Sequence, residues 1–494
     1  MVGRPVEECM RRRTLLRRSG ALALGLSTSV LASSTADSPV ATADSDESYE
    51  PLGRVAVDGA AEAVVGDAGE TVYLATTTGF AVVDVSDPAD PSLRFEEASI
   101  EVDGDPLLEI LDVKVDGDRL VVPGPANESS NYPFHGFVCY DVSDPGDPEP
   151  VDEPYETGFH IHNCYLEGEI LYVVANGRSE NPLVVYNVGD GIEEIGRWSL
   201  AERDPGWKDV DWRTRYLHDV YVHDDVAYLA HWNAGTYLLD VSDPGTPASL
   251  SHVAETTLER TLEIEDDTEA RLGLPGNDHY AAVDETGDLL AVGREAWATG
   301  GAEPDGPGGI DLYDVSESTA PELQGSIEPP AAVDESYEAG LWTTAHNFEL
   351  WDGVLYSSWY RGGVNVYDVS DPTSPRALAW WRDPKTAGFW TARVAEPGET
   401  FVASSTPAIP NAPTDGALYT FPLAAGEQTE PPSLLEPDTA VPEGESGTPT
   451  GRSETGNAGD ADGNRKARDP SLSVTARRRA VGRRSRSRDR RRRS

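Results

Sequence analysis

Gly235-Thr-Tyr-Leu-Leu-Asp-Val-Ser-Asp-Pro244 is a phrase that this chain keeps rewriting. It stands also as Gly79-Phe-Ala-Val-Val-Asp-Val-Ser-Asp-Pro88 and as Gly136-Phe-Val-Cys-Tyr-Asp-Val-Ser-Asp-Pro145. Another strong copy ends in Asp368-Val-Ser-Asp-Pro372, and weaker ones end in Asn187-Val-Gly-Asp190 and Asp314-Val-Ser-Glu317. An eroded seventh is Ala417-Leu-Tyr-Thr-Phe-Pro-Leu423. The aligned positions 84, 141, 187, 240, 314, 368 and 422 are spaced by 57, 46, 53, 74, 54 and 54 residues. A near-constant period of this length is the mark of a repeat architecture. The apolar, β-branched and aromatic run before the Asp suits a strand buried on both faces. Asp and Ser then bond nearby backbone N–H groups, and Pro cannot join a ladder, so the chain turns.

Working outward from the phrase, the unit Leu217–Val253 divides into four short strands joined by tight turns: His218–Val222, Val226–Trp232, Thr236–Val241 and Leu250–Val253. Four antiparallel strands per repeat make one blade of a β-propeller. The expectation is an all-β, seven-bladed β-propeller over residues 52–425. The last unit offers three strands and Gly53-Arg-Val-Ala-Val57 is spare, so the N-terminal strand is expected to complete the last blade and close the ring. Glu255–Leu274, charged and inserted, reads as a short helix or lid.

The phrases Phe80-Ala-Val-Val-Asp-Val-Ser-Asp-Pro88 and Val364-Asn-Val-Tyr-Asp-Val-Ser-Asp-Pro372 resemble the LVIVD repeat of bacterial and archaeal surface proteins. The resemblance covers six repeats, nearly the whole body. It implies a secreted or cell-surface propeller of a haloarchaeal type and implies little about activity.

Composition agrees with export into salt. The net charge is −48, and residues 19–464 carry 19 basic against 83 acidic residues. There are four lysines: Lys114, Lys208, Lys385 and Lys466. An acidic, lysine-poor surface stays hydrated in concentrated salt, where screening removes its self-repulsion, and it repels nucleic-acid phosphate. Residues 1–36 read as a leader of the twin-arginine type: Arg12-Arg13-x-Leu15-Leu16 precedes a short apolar run and small residues. No transmembrane helix is expected in the mature chain. Residues 37–51 read as a flexible spacer, and 426–463 as an acidic stalk rich in Pro, Thr, Gly and Ser. The Arg-dense tail, 464–494, reads either as a basic arm or as an anchor replaced through a shifted reading frame. Cys139 and Cys164 admit one bridge or two buried thiols.

Chemistry is expected where first strands begin. Four begin alike: His162-Asn163, His218-Asp219, His279-Tyr280 and His346-Asn347. The counterparts in the other blades are Ala61, Leu111 and Thr391. Turns between second and third strands are expected to bring Trp232, Arg294, Glu295, Tyr360 and Arg361 to the same face. Imidazoles converging from several strands suit copper or zinc. The alternative is that each His bonds the neighbouring blade's backbone. The His-Asp and His-Asn phrases are also similar to those near the metal site of selenium-binding-protein-like propellers, methanethiol oxidases among them. There is no His-Glu-x-x-His, no Gly-x-Ser-x-Gly and no phosphate-cradling loop. Three functions remain open. One is a cell-surface binding module for envelope glycans or proteins. The second is a metal-dependent, copper-like redox enzyme using the four histidines. The third is a purely structural component of the envelope.

Overall fold

The structure, a computed structural model, describes residues 48–127, 132–177, 180–395, 399–410 and 412–436. The leader at 1–36, the spacer up to 47, the stalk beyond 436 and the tail 464–494 lie outside the described residues. Among the described residues no helix is long and apolar enough to cross a membrane.

Seven antiparallel sheets follow one another as blades. Blade 4 is typical: Asp219–His223, Val226–Ala230, Thr236–Asp240 and Ala248–Val253, each paired with the next. The first strands of the other blades are Ala63–Val65, Lys114–Asp116, His160–Glu167, Asp278–Val283, Phe348–Trp351 and Phe389–Val394. Blade 7 takes its outer strand from the start of the chain: Gly53 stands opposite Thr420 and Ala56 opposite Ala417. That pairing covers the edge of Ala417–Pro422, which would otherwise offer bare N–H and C=O groups.

The repeated phrase has a local cause at every residue. Its third-strand run is buried, as in Phe80–Val83. The Asp84 carboxylate accepts hydrogen bonds from the Ser86 amide and hydroxyl, at 3.0 and 2.6 Å. Asp240 with Ser242, Asp314 with Ser316 and Asp368 with Ser370 repeat this turn. The Val between them is buried each time: Val85, Val241, Val315 and Val369. The opening glycine leaves room for the fourth strand, because a Cβ on Gly79 would lie 1.7 Å from the Glu97 carbonyl oxygen.

The core lies between blades rather than within them. Phe80 meets Tyr140 edge-on at 4.9 Å across blades 1 and 2, and Tyr280 meets Phe348 at 4.9 Å across blades 5 and 6. Cys139 and Cys164 are free, buried thiols inside such a layer. The packed body reaches past 52–425 at both ends. Tyr49 is buried against Phe421, its amide donates to Glu427, and Leu434 is buried beside Leu341. The insertion before blade 5 forms two short helices, Leu258–Glu263 and Asp267–Leu272.

Candidate functional site

The site begins with a repeated backbone irregularity. In blade 3 the ladder between the first two strands skips from Ile161 to Cys164, in blade 5 from Asp278 to Tyr280, and in blade 7 from Phe389 to Thr391. A bulge at this position frees the residue from pairing and re-aims its side chain. The residues released are His162 with Asn163, then His279, then Trp390. The counterpart of the histidines in blade 7 is therefore Trp390, one residue before the Thr391 expected from sequence. The extra residue of the bulge displaces the alignment by one.

The four histidines form a continuous arc from blade 3 to blade 6. Ring centroids lie 4.2 Å apart for His162 and His218, 3.9 Å for His218 and His279, and 4.5 Å for His279 and His346. Trp390 extends the arc at 4.2 Å from His346. All four histidines are buried.

Turns between second and third strands supply the partners. Trp232 and Tyr360 sit at equivalent points with φ of 49° and 46°. These are left-handed values that bulky residues seldom adopt. Each makes a backbone bridge to the next blade, Trp232 to Asp278 and Tyr360 to Phe389, and these bridges hold the strained turns in place. Trp232 thereby stacks on His218 at 5.1 Å, and Tyr360 meets His346 edge-on at 4.7 Å. Glu295, fully buried, accepts a hydrogen bond from the Tyr360 hydroxyl on Oε1, while its Oε2 lies 3.5 Å from His279 Nε2.

The two arginines expected at this face are committed elsewhere. Arg294 pairs with Asp311, with Glu255 at 3.2 Å and with Asp278 at 3.7 Å. Arg361 donates from Nε to the Pro384 carbonyl at 2.7 Å. Among the expected residues, the four histidines, Trp232, Glu295 and Tyr360 come together, and the arginines do not.

The hydrogen-bond state of the cluster is specific. His162 Nδ1–H donates to the Ala126 carbonyl at 3.2 Å, and His346 Nδ1–H to the Trp390 carbonyl at 2.6 Å. Both rings therefore keep the Nε2 lone pair. His346 Nε2, both ring nitrogens of His218 and of His279, and Glu295 Oε2 are buried without a hydrogen-bond partner. Burial holds His162 down to about 4 and His346 to about 3. Burial and then the neighbouring imidazoles hold His218 and His279 well below the ordinary range. Burial raises Glu295 to about 8 against the pull of the Tyr360 hydroxyl. The arc is thus a set of neutral, lone-pair-bearing imidazoles beside a carboxyl group that holds its proton at neutral pH. His218, His279 and Glu295 each offer one donor atom, and these atoms all lie within 4.8 Å of one another.

Sequence reasoning missed two neighbours of the arc. One is a buried aromatic group beside Tyr360: Trp297 and Trp342 at 4.7 Å, with Tyr360 5.2 Å from Trp342 and Trp390 at 5.9 Å from Tyr360. Trp297 and Trp342 come from irregular insertions, so no strand pattern marks them. The second neighbour is a charged layer one residue further along the first strands. Glu62 and Asp112 follow Ala61 and Leu111 and could have been found by alternation, as Asp219 and Asn347 already stood in the His-Asp and His-Asn phrases.

Comparison with known proteins agrees with the repeat. The LVIVD repeat family model matches residues 68–96 and 214–254. No curated protein matches the chain. The β-propeller domain of Cps50 (Swd1) from Myceliophteria thermophila is 8% identical over 76% of this chain and 100% of its own, with a TM-score of 0.49. Hsv2 from Kluyvelomyces marxianus is 8% identical over 71% of this chain and 90% of its own, with a TM-score of 0.43.

Proposed function

We propose that this propeller of LVIVD repeats is an exported binding module of the cell envelope, and that a single copper or zinc ion held by the axial histidine arc locks its blades together. One observation carries the reading: His218, His279 and Glu295, from blades 4 and 5, turn unpartnered, buried donor atoms toward one point. Each buried polar atom without a partner costs about 1–3 kcal/mol. A transition metal would satisfy several at once, and imidazole with carboxylate is a donor set suited to it. His162 and His346 flank the trio, with ring centroids 4.2 Å from His218 and 4.5 Å from His279. Tyr360 fixes the carboxylate, the outer-shell role that tunes a metal site.

Enclosure favours a structural ion over the redox alternative. Structural metal sites are closed, whereas catalytic ones keep a position open to substrate. Here all four histidines and Glu295 are buried. Export and surface placement rest on the leader-like segment and the acidic composition, and partners would be envelope glycans or proteins.

The test is metal analysis of exported protein together with thermal unfolding. One equivalent of copper or zinc is expected, lost with His279→Ala and with Glu295→Gln, and metal removal should lower the melting temperature. Protein that stays metal-free after saturation with both ions, with an unmoved melting temperature, would overturn the proposal.

A further inference from the structure

The opposite ends of the same first strands enclose a second feature. A cavity of about 880 Å³ opens there, lined by residues of all seven blades, among them Val64, Lys114, Tyr165, Val220, Leu350 and Arg393. At its floor three carboxylates face two cations. Glu62 is fully engaged: it pairs with Arg393 at 2.9 Å and accepts from Asn347 at 2.6 Å and Thr391 at 2.7 Å. Asp112 pairs with Lys114 and accepts from the Cys164 amide at 2.9 Å. The third, Asp219, is 2% exposed, lines the cavity, and leaves its Oδ2 without a partner.

The wall and rim specify what would meet that oxygen. Tyr221, Tyr280 and Trp351 place aromatic rings around the space, with apolar Val220 and Leu350 between them. The mouth adds Asp67, Asp116, Asp284, Glu285 and Asp352. An acidic mouth repels anions. A hard divalent ion would want six or more oxygen ligands, and the floor offers one free carboxylate oxygen, the neighbouring Lys114 and Arg393 being already paired with Asp112 and Glu62. An alkylammonium fits all parts: its head donates a hydrogen bond to the free Asp219 Oδ2, which burial otherwise biases toward the neutral acid, and meets the ring faces, and its stem lies on apolar wall.

We infer that the axial cavity opposite the histidine arc binds an aliphatic diamine, with the inner ammonium on Asp219 and the outer one among the rim carboxylates. The inference does not depend on a metal in the arc.

Calorimetric titration of the full chain with cadaverine, in about 1 M KCl to screen the general surface charge, tests it. Saturable binding of one cadaverine per chain is expected, with 1,5-pentanediol giving none. Asp219→Asn should weaken binding at least tenfold, and circular dichroism with thermal unfolding measured alongside separates that loss from disturbance of the adjoining fold. Val65→Trp, which fills the cavity from a half-buried wall position, should abolish binding even where Asp219→Asn fails to fold. No saturable heat, equal binding of the diol, or binding unchanged by both substitutions would overturn the inference.

Discussion

Glu295 is the residue on which the chemistry of the arc turns. Its carboxyl is raised by burial to about 8, so in the metal-free protein it holds a proton at pH 7. His162 and His346, held near 4 and 3, are already neutral there. A metal must therefore displace one proton, from Glu295, and none from the imidazoles. The sign follows: affinity rises with pH and levels off above about 8. Between pH 5.5 and 7.5 the apparent affinity should gain about tenfold per pH unit, the slope for a single proton. Titrating zinc calorimetrically in buffers of different ionisation enthalpy would count the proton. Release of none, or a pH dependence that survives Glu295→Gln, would contradict the assignment.

At the scale of the element, the glycine opening each repeat phrase is as constrained as the Asp-Val-Ser turn closing it. A Cβ on Gly79 would fall 1.7 Å from the Glu97 carbonyl oxygen, and one on Gly235, at φ +85°, 2.3 Å from that of Val253. The obstruction is strand backbone, which cannot swing aside as a side chain can. Gly79→Ala should therefore destabilise the protein by more than about 2 kcal/mol. Gly177→Ala, where a Cβ would meet nothing within 4 Å, should change stability by less than about 0.5 kcal/mol. Equal melting temperatures for the two variants would refute this account. These local constraints explain what was legible in the sequence. Turn, glycine and buried run are each satisfied by near neighbours, so each copy writes them out again, and the blade count follows from counting copies. The histidines were legible for the same reason, as one structural position repeated four times. The role of Glu295 was clouded by the long insertion after it, which removes the turn that marks Trp232 and Tyr360. Trp390 was missed because a bulge shifts register by one residue without a sequence signature. Asp219 reads in sequence as the second half of a His-Asp phrase, and only the closed ring turns it from the arc toward the opposite cavity.

Across the whole molecule, two electrostatic terms of opposite sign meet when pH falls. The net charge of −48 makes the folded chain repel itself at low salt, and protonating surface carboxylates relieves that repulsion. The buried histidines act the other way. His160, His231 and His346 are held to about 3 and His162 to about 4, each first by burial. In the unfolded chain they titrate near 6.5. Below that pH the unfolded state binds more protons, so stability present above about 6.5 is lost as the pH falls toward the folded values. Each group contributes at most about 1.4 kcal/mol per pH unit, and the buried carboxyls Glu295 and Asp278, raised to about 8 and about 6, offset part of that loss with the opposite sign as pH falls, so the net acid limb is what the histidines leave after the carboxyls. Salt separates the terms. In about 2 M KCl the screening length falls to a few ångström, which silences the surface while the buried imidazoles are little screened. Metal-free protein at that salt should therefore be most stable near neutrality and unfold cooperatively between about pH 6 and 4. At low salt the same acid limb should be shallower, because relief of surface repulsion offsets part of it. Chemical denaturation at stepped pH and two salt concentrations measures both limbs. Stability that stays flat or rises from pH 7 to pH 4 in high salt would mean that the buried histidines do not outweigh the buried carboxyls Glu295 and Asp278.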